Sequence, residues 1–319
     1  MGRRHHVPPM TTFKRLAKAA LCGAYKYSGA AGAMETAAQW FGKRFLAILL
    51  FHRVTDQIPE DGLTVSTARF RAICRLLQRR FRVVSVSELA RLHRSRQPLP
   101  PRTIAVTFDD CYRDNLFAAR VLAAHGLTAS FFLPTAFLDT DHVFPWDRHL
   151  PPMPNLTWND VREMAALGHT IGSHTVNHLD LGKVSLPEAQ REIVESKKVL
   201  EDRIGAPVPW FAYPYGGVQH FRPGLASYVE EAGYEGCLSG YGGFIYPNSD
   251  SRLLPREAVP YFSSVLNLEL HLRGCLDFVY AAKRRLGLME ERPQMARVQE
   301  QAIKAQSDPL MCISSTEDL

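Results

Sequence analysis

Long apolar runs are missing from this chain. No segment reaches the roughly 20 consecutive apolar residues that a membrane-spanning helix needs, so none is expected. Cysteine is sparse and scattered. The six are Cys22, Cys74, Cys111, Cys237, Cys275 and Cys312, and no two stand in a C-x-x-C pair. That spacing speaks against a zinc–thiolate site and for reduced thiols. The N-terminus lacks an uninterrupted apolar stretch followed by a cleavage site, so a secretory signal is not expected. A basic stripe is absent too. The net charge is +6, with the basic residues spread along the chain, which argues against a nucleic-acid partner but leaves attraction to an anionic surface or acidic glycan open. There is no phosphate-cradling glycine loop and no second set of metal ligands, which argues against a metal-dependent hydrolase of nucleotides or phosphoesters.

The balance that remains, 46% hydrophobic and 22% charged over 319 residues, is that of a globular protein able to bury a large core. Residues 1–44 divide from the rest by pattern. From Thr12 to about Trp40, apolar residues recur at three- and four-residue steps with Lys14, Arg15 and Lys18 between them. This predicts a helix, either packed on the main domain or resting on a membrane surface by a basic face. The period then changes. Residues 45–51 (FLAILLF) and 103–108 (TIAVTF) are continuous apolar runs of the kind found in strands covered on both faces. Further strands are expected at 81–86, 128–133, 169–173, 210–213 and 235–239. Helices are expected at 69–80, 88–94 capped by Ser87, 115–125, 159–167 capped by Thr157, 186–204, 225–232 and 264–283. Strands alternating with helices predict a parallel sheet, either a barrel or an open doubly wound sheet. The domain is expected over 45–290, followed by a polar, flexible tail at 291–319.

Four short motifs carry chemistry. Thr107-Phe108-Asp109-Asp110 puts two adjacent carboxylates at the end of a buried strand, where they are costly without a cation to satisfy them. A regular strand would point them to opposite faces, so one must turn inward as the chain leaves the sheet. His174-Thr175-Val176-Asn177-His178 spaces two imidazoles so that a turn or helix brings both to one metal. Phe211-Ala212-Tyr213-Pro214-Tyr215-Gly216 leaves a strand through a Pro/Gly turn that holds an aromatic ring and backbone N–H groups. His52 directly follows the first strand. All four lie at C-terminal strand ends, the face where α/β proteins place their chemistry.

In order and content these motifs resemble the polysaccharide deacetylase family, carbohydrate esterase family four, also called the NodB-homology domain. The match runs from Leu50-Phe51-His52-Arg53-Val54 through residues 107–110, 168–178 and 211–217 to Leu254-Pro255-Arg256. The resemblance implies a distorted (β/α) barrel of about seven parallel strands. It implies Asp110, His174 and His178 as ligands to a divalent metal, zinc first, with Co2+, Ni2+ or Mn2+ as alternatives. It makes Asp109 the catalytic base and a backbone N–H near Tyr215 the oxyanion donor. The implied reaction removes an N-acetyl group from an amino sugar in a polysaccharide or lipid-linked glycan.

The sequence departs from the family in two places. The arginine that orients the base in many members is Ala212 here, and Arg256 is the candidate to replace it. No late Leu-x-His motif supplies a general acid. His271 falls in an expected helix and reads as structural, so His52 becomes the acid, its pKa suiting protonation of a leaving amine. Trp146 is a candidate to stack on a sugar ring and Asp147 to bind a hydroxyl or the metal region, with Pro214, Tyr215 and Arg256 as further substrate contacts. An O-deacetylase or deformylase on the same scaffold, or a non-catalytic carbohydrate-binding homologue, stays open. With no signal segment and a basic N-terminal helix, the expected place of work is the cytoplasmic side of a membrane, in building surface polysaccharide.

Overall fold

A computed structural model describes residues 23–25, 27–30, 32–33, 36, 45–217, 220–222, 224–240 and 242–275. The expected tail at 291–319 and most of the expected helix at 12–40 lie outside them. Inside that stretch, residues 23–25 are helical, and the Tyr25 hydroxyl donates to the Cys275 carbonyl at 3.1 Å.

The described strands are β1 (Ala47–Phe51), β2 (Arg53–Val54), β3 (Thr64–Val65), β4 (Arg82–Val83), β5 (Thr103–Asp109), β6 (Ser130–Leu133), β7 (Thr170–Ser173), β8 (Trp210–Ala212), β9 (Gly236–Leu238), β10 (Leu253–Leu254) and β11 (Glu257–Ala258). Between them lie α1 (Thr67–Arg80), α2 (Val86–Arg94), α3 (Asp114–Ala124), α4 (Trp158–Ala166), α5 (Leu186–Ile204) and α6 (Leu225–Glu231), with α7 (Val265–Leu272) after β11. The main sheet is parallel, in the order β10-β9-β8-β7-β6-β5-β1-β11, with β4 beside the start of β5. The edge strands β10 and β11 are separated in sequence by only Pro255 and Arg256. A sheet whose two edges are joined by two residues must curl round on itself. The fold is a distorted (β/α) barrel of six strands and a split seventh, and Arg256 lies in the split.

Period-two alternation divides the buried side chains into two cores. Ala47, Leu49 and Phe51 of β1, with Ile104, Val106 and Phe108 of β5, face the helices. There Phe108 stacks on Phe51 at 5.1 Å and on Phe131 at 4.7 Å. Leu46, Ile48, Ala105, Phe132, Trp210 and Leu254 fill the barrel instead. Helix α2 closes the lower end of the barrel with Val86, Leu89 and Ala90. Its cap is Ser85, whose hydroxyl accepts from the Glu88 N–H, and not Ser87 as the sequence suggested. The Ser87 hydroxyl accepts from the Trp210 indole at 2.8 Å, a tertiary contact that local capping rules do not reveal. Thr157 does cap α4, in a capping box with Asp160.

The same alternation sets the inward face of β5 as Ala105, Thr107 and Asp109. It places Gly172 of β7 against Phe132, where a Cβ would lie 2.4 Å from the ring. The upper end of the barrel is thereby left to polar residues.

Candidate metal centre and its surroundings

Asp109 ends β5 on the inner face, and Asp110 would point outward if the strand continued. It does not: Asp110 takes φ +66°, and this left-handed turn brings it inward as well. Thr175, His178 and Tyr215 also have positive φ. Such conformations are unfavourable for side-chain-bearing residues and persist where the surroundings over-determine them. Here four of them meet at one end of the barrel.

The 174–178 segment is a turn, not a helix. The Thr175 hydroxyl accepts from the His178 N–H at 2.9 Å. Buried Glu192 of α5 accepts from the Val176 and Asn177 N–H groups at 2.9 and 2.8 Å, and from the Asn177 amide at 2.7 Å. Glu192 was overlooked in the sequence, though a signal was there: it shares the inward face of α5 with Ala189, Ile193, Ser196 and Leu200, where an unpaired carboxylate would not persist.

These turns gather the ligand set. One carboxylate oxygen of Asp110 lies 3.2 Å from His178 Nε2 and 3.7 Å from His174 Nε2. Ligand atoms of all three residues lie within 4.8 Å of one another, and all three are buried. His174 Nδ1 donates to the Ala212 carbonyl at 2.8 Å, which leaves the Nε2 lone pair facing Asp110. Burial drives the His174 pKa down to about 4, against the pull of Asp109 and Asp110, so the ring is neutral and able to ligate. Asp110 is held near 2: burial raises its pKa, but His178, His52 and His174 outweigh that. One carboxylate and two imidazoles fit a divalent cation with positions left open for water and substrate.

Asp109 lies beside this set, with its Oδ2 3.9 Å from His174 Nε2. Arg256 grips it from below through two parallel bonds of 2.6 Å. The Arg256 Nε donates to the Ser239 carbonyl at 2.7 Å, and the guanidinium is wholly buried. Burial raises the Asp109 pKa, but Arg256 and His174 bring it below the usual carboxylate range. The position left empty by Ala212 is thus filled from the barrel split: Arg256 is clamped on Asp109 and also lines the cavity.

The cavity over these groups measures about 240 Å3 and is lined by His52, Asp109, Asp110, His174, His178, Trp146, Tyr215 and Tyr261, among others. Tyr215 is 50% exposed and Tyr261 68%. Trp146 lies edge-on to His178 at 5.3 Å and to Tyr215 at 5.9 Å. His52 reaches the wall with a buried Nδ1 that has no hydrogen-bond partner among the described residues. Its burial lowers its pKa, while Asp110 and Asp109 pull the other way. Two expected substrate contacts lie elsewhere. Asp147 is buried, with one oxygen on Arg53 and the other on the Tyr112 hydroxyl. Pro214 is buried and does not line the cavity. Tyr261, the most exposed ring at the rim, carries no motif and was missed.

Fold and site together define a (β/α)-barrel protein with a side-chain set able to hold a metal at the C-terminal ends of its strands. The family model for polysaccharide deacetylases matches residues 96–236 of this chain. The chain is 25% identical over 192 residues to YxkH of Bacillus subtilis, a protein named as a putative polysaccharide deacetylase, across 60% of this chain and 62% of the relative. It is 29% identical over 124 residues to a peptidoglycan-N-acetylglucosamine deacetylase of Bacillus cereus, across 38% of this chain and 39% of the relative. The chain therefore spans less than two thirds of either relative. In fold it is similar to the solved deacetylase PplD of Streptococcus pyogenes, with a TM-score of 0.60 at 22% identity, covering 70% of this chain and 96% of that one.

Proposed function

We propose that this protein hydrolyses the N-acetyl group of an amino sugar, in a polysaccharide or a lipid-linked glycan, with the help of a divalent metal. The observation that carries the reading is an unligated, arginine-clamped Asp109 beside the Asp110–His174–His178 set. The family-model match and the name of the Bacillus cereus relative support an N-acetylated glycan as substrate. When bound, the cation, zinc by preference, supplies a Lewis acid for the acetyl carbonyl and lowers the pKa of water beside it.

The chain's own residues do the rest. Arg256 occupies one lone pair on each Asp109 oxygen and leaves the others free to accept the proton of the attacking water. The clamp also makes Asp109 a weak base, which suits it only to an acidified water. The Tyr215 N–H makes no hydrogen bond among the described residues and is the donor available to a developing oxyanion. The leaving nitrogen needs a proton, and His52 is the cavity imidazole outside the ligand set. Burial keeps it neutral at rest, and negative charge gathering in the cavity draws a proton onto it.

Work on the cytoplasmic side of a membrane, in making surface polysaccharide, is part of the same proposal and rests on the sequence alone. The test is acetate release by the purified protein from N-acetylated oligosaccharides and lipid-linked sugars. Release should stop with chelator and return with Zn2+. Chelator-insensitive release would reject the metal, and formate or O-acetyl release in place of amide hydrolysis would reject the N-acetyl assignment.

A further inference from the structure

Arg53 follows His52 and is buried despite its charge. It donates to Thr64 Oγ1 at 3.0 Å from Nε, to Asp61 at 2.8 Å, to Asp147 at 2.5 Å and, weakly, to the Met153 sulfur at 3.9 Å. The second Asp147 oxygen accepts from the Tyr112 hydroxyl, whose oxygen accepts from the Trp146 indole N–H at 3.1 Å. An unbroken hydrogen-bonded chain thus joins the 61–64 segment, which gives Gly62 and Leu63 to the cavity wall, to Trp146, which gives another part of it. Arg53, Asp147 and Tyr112 do not line that cavity. On the other side of the Trp146 loop lies a second cavity of about 270 Å3, lined by Tyr112, Phe144, Asp147 and neighbours. Trp146 also packs on Phe144 at 4.8 Å, His178 at 5.3 Å and Tyr215 at 5.9 Å, and the hydrogen bond to Tyr112 fixes the ring on the side of the loop where that second cavity leaves space.

We propose that Arg53, Asp147 and Tyr112 form a positioning relay that fixes the Trp146 ring over the site and so sets affinity for the glycan. The inference rests on the deacetylase reading for its substrate, but not for its geometry. Arg53 is a positioning residue: it acts through Asp147, Tyr112 and Trp146, not on the reacting atoms.

The test uses Tyr112→Phe, which keeps the ring and removes only the hydroxyl joining Asp147 to Trp146, and Arg53→Lys, which keeps the charge but loses the forked geometry. Acrylamide quenching of Trp146 is read as the difference between each protein and its Trp146→Phe counterpart, because the chain has four tryptophans. The quenching constant should rise about twofold in both variants as the ring is freed. On an N-acetylated chito-oligosaccharide, KM should rise roughly three- to tenfold with kcat held, the loss of one well-placed aromatic contact. Unchanged Trp146 quenching in Tyr112→Phe overturns the proposal whatever the activity, and so does a fall in kcat at constant KM. If the wild-type protein releases no acetate from any glycan, the deacetylase reading fails, and the quenching result still decides the relay.

Discussion

At the scale of single residues, two neighbouring aspartates receive different tasks from their surroundings. Asp110 meets imidazole nitrogens and Asp109 meets a guanidinium. Removing one partner of such a buried pair leaves an uncompensated charge, at a cost of about 3–5 kcal/mol, so Arg256 matters to folding as well as to orientation. Asp109→Asn keeps the shape and both ligand-facing neighbours while losing the acceptor for a proton. It should retain one bound Zn2+ per chain by elemental analysis and lose at least about two orders of magnitude in kcat. Full activity in that variant would remove Asp109 from the mechanism. The sequence showed both aspartates, yet not which faces the imidazoles, because that depends on the left-handed φ at Asp110.

At the scale of elements, Asp114 at the start of α3 ties that helix to β2. Its Oδ1 accepts from the Val54 N–H at 3.1 Å and from Asn115 at 2.9 Å, while Oδ2 is buried without a partner among the described residues. Burial pushes its pKa up to about 6. A raised carboxyl pKa means that the folded state binds the proton more tightly. Its contribution to stability is then full below the unfolded value near 4 and is lost as pH rises through 6. Asp114→Asn keeps the acceptor at Oδ1 and removes the titration. The stability of wild type minus variant, from urea unfolding, should fall by about 2 kcal/mol between pH 4 and pH 7. A flat difference would show that Asp114 is ionised in the fold. His174 and Asp110 titrate in the opposite sense, which is why the difference is read and not the wild-type curve. The short strands β10 and β11 escaped the sequence reading because two-residue strands carry no periodicity.

At the scale of the molecule, three ligand residues from two strand ends, β5 and β7, converge without a covalent link. A cation bound there joins parts of the barrel far apart in sequence and is absent from the unfolded chain's favoured states. Zn2+ at about 100 times its Kd should add about 2.7 kcal/mol of stability. For a domain of this size that is a rise in Tm of roughly 5–10 °C. The measurement is calorimetry with and without chelator, and no shift in the wild type, or the same shift in His178→Ala, would argue against this site. Among the described residues no helix is long and apolar enough to cross a membrane.

The amino-acid sequence by itself determined the strand–helix alternation, since buried runs and amphipathic periods are local, and it named both aspartates and both histidines, since their motifs are contiguous. Tertiary structure alone decided that Arg256 would serve Asp109, across 147 residues of chain. It also turned Asp147 away from the cavity toward Arg53, and brought Tyr261 to the rim. Each of those depends on how the sheet closes and where its edges meet, a long-range geometry that no local pattern of residues encodes.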